Sequence, residues 1–82
     1  MEQINLLSAM ILNLKYIEQR LESSDAVEVV SAMRDYRILV DKFYSEFQDF
    51  MAPQQYEGAT KNLEYFTLLL ESALAYCKKK PN

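Results

Sequence analysis

The sequence predicts an all-α fold: an antiparallel three-helix bundle, or a helical hairpin with an additional N-terminal helix. Three observations carry that expectation. One Gly and two Pro in 82 residues permit long uninterrupted helices and leave too few turn residues for a β-rich chain. Apolar side chains recur at alternating intervals of three and four, the spacing of one helix face. Breaks at Ser23-Ser24 and Pro53 divide that pattern into three helices, over about 3–22, 26–51 and 54–78. At this length the chain is expected to be one helical domain over residues 1–82.

The first helix is read from Ile4, Leu7, Ile11, Leu14 and Leu21, a series that Glu18 interrupts. Met10 and Ile17 lie beside this stripe and widen it. Asp25 suits the N-cap of the second helix, because its carboxylate can accept a free backbone N–H. Glu28, three residues on, would complete a capping box. Ala26, Val29, Met33, Tyr36, Val40, Phe43, Phe47 and Phe50 then form an unbroken heptad series. Run to Met51, it would make a rod of roughly 39 Å at 1.5 Å per residue.

Pro53 ends that rod, because it has no N–H and restricts Ala52 before it. It also suits the first turn of a third helix. That helix carries Tyr56, Ala59, Leu63, Phe66, Leu70, Ala73 and Cys77 in heptad spacing, and Pro81 marks its end. Gly58 costs about 1 kcal/mol relative to Ala, so fraying is expected in the first turn. Short joints make consecutive helices antiparallel neighbours, in an up-down-up order.

Composition narrows the function. A domain of this size buries only about 60% of the surface its unfolded chain exposes, so stability should be modest. Half the residues are hydrophobic, enough for a packed core. A net charge of −3, from 9 basic and 12 acidic side chains, offers no footprint for nucleic acid. The basic run Lys78-Lys79-Lys80 reads as a helix end, whose carbonyls favour nearby cations.

Catalytic machinery is not expected. The chain has no histidine, which removes the commonest general base and metal ligand together. Zinc spacings and a Gly-rich phosphate loop are missing. Glu18, Glu22, Asp25 and Glu28 are the densest acidic stretch, and a solvated helix end with capping accounts for most of it. No enzyme activity, metal or cofactor is therefore expected. Cys77, the single cysteine, lies on the apolar stripe and reads as a buried, unreactive thiol. One unpaired thiol, no leader-like opening and no long apolar run point to the cytoplasm and away from membranes.

The functional signal is an excess of apolar residues. Tyr65, Leu68, Leu69 and Tyr76 in the third helix lie off the main stripe, as do Ile38, Leu39 and Tyr44 in the second and Leu6 and Leu12 in the first. One broad apolar face per helix suffices for a three-helix core. The surplus reads as a surface for another protein or for self-association. Tyr65, Leu68 and Tyr76 are its candidate contacts, with Leu6 and Met10 on the first helix.

Pro53-Gln54-Gln55-Tyr56, followed by Leu69-Leu70-Glu71-Ser72-Ala73-Leu74-Ala75, resembles the small helical co-chaperones of type III secretion needle subunits. Those are compact helical hairpins with a Gln-Tyr pair opening the second helix and a Leu-Glu-x-Ala-like stretch near its end. The resemblance covers roughly Val29 to Tyr76. It implies a partner chaperone of tetratricopeptide type and an aggregation-prone needle subunit kept soluble in the cytoplasm. Two functions are thus expected: a protein-binding module, such as a co-chaperone, or a self-associating structural or regulatory bundle.

Overall fold

A computed structural model describes residues 2–79. Those residues form four α-helices: α1 (Glu2–Leu21), α2 (Ala26–Glu46), α3 (Pro53–Lys61) and α4 (Leu63–Lys79). No strand occurs among the described residues, so the all-α expectation holds. Lys80 and Pro81, used above to end the last helix, lie outside the described residues.

The joint between α1 and α2 is built by side chains. Asp25 Oδ1 accepts the Val27 N–H at 3.0 Å, as an N-cap does. Glu28 does not return to the Asp25 N–H. Ser23 takes that N–H at 3.0 Å, and its hydroxyl in turn donates to Glu28 at 3.3 Å. The expected capping box therefore closes through Ser23.

The rod expected to reach Met51 is shorter. α2 stops at Glu46, and Gln48–Phe50 form a single 3-10 turn. Pro53 accounts for only part of this, since its ring disturbs the carbonyl four residues before it. The rest is tertiary. The turn lets Phe47 stack on Phe43 at 5.2 Å and brings Phe50 against Tyr76 at 5.4 Å, while Met51 folds into the core.

The expected third helix is two helices. Pro53 opens α3, and Gln55 Oε1 accepts the Ala52 N–H at 2.8 Å. At Asn62 the backbone turns extended, with φ −138° and ψ 105°. The Asn62 N–H closes α3 on the Gly58 carbonyl, and its side chain accepts the Tyr65 N–H at 3.1 Å to open α4. Asn is among the best N-caps. Gly58 has its use at this corner: a Cβ there would lie 3.1 Å from the Tyr65 ring. It admits that ring, and the helix around it is intact.

Cross-contacts give the directions. Tyr44 and Asp41 meet Tyr56, while Tyr36 donates to the Ala59 carbonyl, so α3 runs antiparallel to α2. Phe66 meets Tyr36 and Phe43, and Tyr76 meets Phe50, so α4 runs in the same sense as α2. Cys77 lies beside Gln3, which sets α4 against α1. The order is up-down-up-down with a nine-residue third member, in place of up-down-up. The two-helix hairpin implied over residues 29–76 is likewise three helical segments here. α1 packs on both α2 and α4, so it is an integral part of the core.

That core takes Leu7, Met10, Leu14 and Ile17 from α1, and Tyr36, Leu39, Val40 and Phe43 from α2. Phe66, Leu70 and Ala73 of α4, Ala59 of α3, Ala32 of α2, and Phe47 and Met51 of the segment between α2 and α3 complete it. Phe43 and Phe66 are the largest fully buried side chains, meeting edge to face at 5.7 Å. This geometry suits the ring quadrupoles. Leu39, expected off the stripe, is buried, and Tyr44 is half-buried against Tyr56.

Candidate protein-interaction surface

The predicted contact residues separate into three groups. Met10 is 3% exposed and belongs to the core. It offers no surface to a partner, because α1 faces two helices and needs the width that Met10 and Ile17 supply. Leu6 and Tyr65 are half-buried and packed against the core, Tyr65 with its ring at Gly58. Leu68 and Tyr76 are exposed, at 61% and 55%. Leu68 sits on the side of α4 away from the buried Phe66, Leu70 and Ala73, while Tyr76 flanks that buried side with its ring against Phe50.

A larger apolar face lies at the start of α2, where the heptad series expects core at Ala26, Val29 and Met33. Val27 is 77% exposed, Val30 56% and Met33 58%, and Ala26 is exposed beside them. Ile38, expected off the stripe, continues this surface. With Ser31 and Arg34, the residues Ala26, Val27 and Val30 line a shallow hollow.

At 3.6 residues per turn Val27, Val30 and Ile38 fall roughly opposite Tyr36 and Phe43 on α2, and two further causes put the heptad members Ala26 and Met33 in solvent. A straight helix drifts about 20° per heptad against a strict seven-residue repeat. The early members of the series are therefore rotated off the core, and Ala32 is buried in place of Met33. The second cause is length. The side-chain bonds and ring contacts that α3 and α4 make with α2 run from Tyr36 onward. Earlier in α2 the tertiary bonds are to α1.

One arginine makes those bonds. Arg20 reaches Asp35 at 2.7 Å and Ser31 at 2.9 Å, with its guanidinium 5.3 Å from the centre of the Tyr16 ring. The hydrogen bond to Asp35 holds the Arg20 pKa above its ordinary value. Forked donors suit such two-point contacts. Arg37 is likewise engaged, 3.5 Å from Asp41 and over the Tyr56 ring. Arg34 stands between them without an ion pair or hydrogen bond among the described residues.

Buried polar chemistry is sparse. Among the described residues the Tyr36 hydroxyl is the one buried side-chain donor to backbone, and burial pushes its pKa up to about 12. Cys77 is half-buried, not buried, because it sits in the last turns of α4 beside the start of α1, with Sγ 3.9 Å from Gln3 Oε1. Among the described residues no group of three or more Cys, Asp or Glu is placed to hold a metal ion. None of their helices is long and apolar enough to cross a membrane. No family model, curated protein or solved structure matches the chain.

Proposed function

We propose that this protein is a non-enzymatic protein-binding module, working through apolar helix faces that its own core leaves uncovered. The observation that carries the reading is the exposed row Val27, Val30 and Ile38 on α2, with Leu68 and Tyr76 on α4. A small chain gains little stability from apolar side chains left in solvent, and contiguous exposed apolar surface is characteristic of interaction sites. Anchors of this kind contribute about 2 kcal/mol or more of binding, as interface hot spots do.

The narrower reading is a cytoplasmic co-chaperone that holds a secretion-apparatus subunit soluble together with a larger chaperone. Its support is the likeness of Pro53-Gln54-Gln55-Tyr56 and Leu69–Ala75 to that family. The expected outcome is a separation of effects. Val30→Ser and Leu68→Ser leave the unfolding free energy within about 0.5 kcal/mol of wild type, while partner capture from native expression is lost. Capture that survives both changes, or unfolding caused by either, removes these faces from the binding site. Co-expression with a needle subunit tests the narrower reading: the subunit stays soluble with wild type and precipitates with Leu68→Ser.

A further inference from the structure

The two exposed faces are complementary to each other. On α2, Asp25 stands at the start, Val27 and Val30 follow, then Arg34, then Ile38. On α4, read from its C-terminal end, Lys79 is followed by Tyr76 and Ala75, then Glu71, then Leu68. All of these are exposed. Acid and base are nine residues apart on α2 and eight apart on α4. At 1.5 Å per residue that is roughly 13.5 Å against 12 Å.

Laid antiparallel, the two helices match position by position. Asp25 meets Lys79, Val27 and Val30 meet Ala75 and Tyr76, Arg34 meets Glu71, and Ile38 meets Leu68. The reverse orientation would set Asp25 near Glu71 and Arg34 near Lys79, two like-charge encounters that disfavour it. Glu71 and Lys79 make no ion pair among the described residues, so neither charge must be released from another partner first.

We infer that the α2 face of one molecule docks on the outer α4 face of a second copy, antiparallel, with Arg34 on Glu71. The inference rests on the protein-binding reading above and names a partner for it. The two faces are different patches of one chain, so the contact is heterologous and extends head to tail unless it closes into a ring. Each face offers only a handful of side chains, against the roughly 800 Å² per partner of a standard interface. Association is therefore weak and belongs to high local concentration.

Sedimentation velocity on the full chain tests this, with concentration raised to about 1 mM so that a dissociation constant in that range is visible. Wild type should show reversible growth beyond the dimer. Arg34→Glu and Glu71→Arg should each weaken association at least tenfold, because every contact then sets like charges together. An equimolar mixture of the two variants should recover growth. In the mixture the molecules alternate, so that each contact again joins opposite charges, native at one junction and exchanged at the next. The double variant, with both charges exchanged, should also regain growth.

A wild type that stays monomeric throughout overturns the inference. So does association indifferent to both charge changes, or a mixture that fails to recover. The protein-binding reading is judged separately. A monomeric wild type whose partner capture is still lost in Leu68→Ser overturns self-pairing alone.

Discussion

Around Phe43 and Phe66 all four helices contribute side chains, whereas the early turns of α2 are bonded to α1 alone. One apolar heptad series runs through both regions of α2, yet one is core and the other surface. An apolar stripe states what a helix can bury, while the reach of its neighbours decides what it does bury. The corner at Asn62 turns the chain back near the level of Tyr36, and everything on α2 before that point loses two potential neighbours. Stability should therefore be unevenly distributed along α2.

Three substitutions separate the regions. The largest effect is expected at the centre. Phe66→Ala removes a fully buried ring in contact with Tyr36 and Phe43 and should cost about 3–5 kcal/mol, read as a lowered urea midpoint. A midpoint near that of wild type would mean that the four-helix region is no better packed than the two-helix end.

Next is Tyr36→Phe, which leaves the Ala59 carbonyl without this donor. The expected loss is on the order of 1–3 kcal/mol, the cost of an unsatisfied buried acceptor. The same hydroxyl sets an alkaline limit. Its pKa is raised from 10.0 to about 12 by burial, so the unfolded chain ionises first. The stabilisation is complete below about pH 10, where both states keep the proton, and is lost as pH rises from there through about 12. Tyr36→Phe should flatten that decline in stability, measured by denaturation at successive alkaline pH values. An unchanged slope would place the alkaline limit on another group.

The smallest global effect belongs to Arg20→Ala. This change deletes the contacts with Asp35 and Ser31 that tie α1 to the early part of α2. Amide exchange should accelerate over residues 26–33 and stay unchanged around Phe43. Uniform acceleration along α2 would show that the end and the centre open as one unit.

Much of the fold is legible in the residues. Spacing alone marks Tyr36, Val40, Phe43, Phe66, Leu70 and Ala73 as core, and each is buried. Asp25 has the chemistry of an N-cap and accepts the Val27 N–H. The break at Asn62 is hidden, although Asn is a strong capping residue, because the apolar spacing continues across it without a fault. Tyr56, Ala59, Leu63 and Phe66 fit one helix as well as two. Met33 leaves the core because a strict heptad and a straight helix diverge by about 20° per repeat, and the exposed Val27 and Val30 lie outside that series, on the far side of the helix. Met10 lies beside the stripe of α1 and looks like surface until that helix is seen to face two others.

The helical class, the breaks at Ser23–Asp25 and Pro53, and the residues at the centre of the core follow from the residues alone. These depend on local chemistry: backbone donors that need caps, a proline without an N–H, and side chains three and four residues apart on one face. Long-range packing sets the direction of α4, the short reach of α3, and which apolar residues of α2 remain in water. Those outcomes depend on which segment arrives beside which. An amphipathic helix specifies a face to be covered, and the residues distant in the chain that cover it, or fail to reach it, are set by packing of the whole.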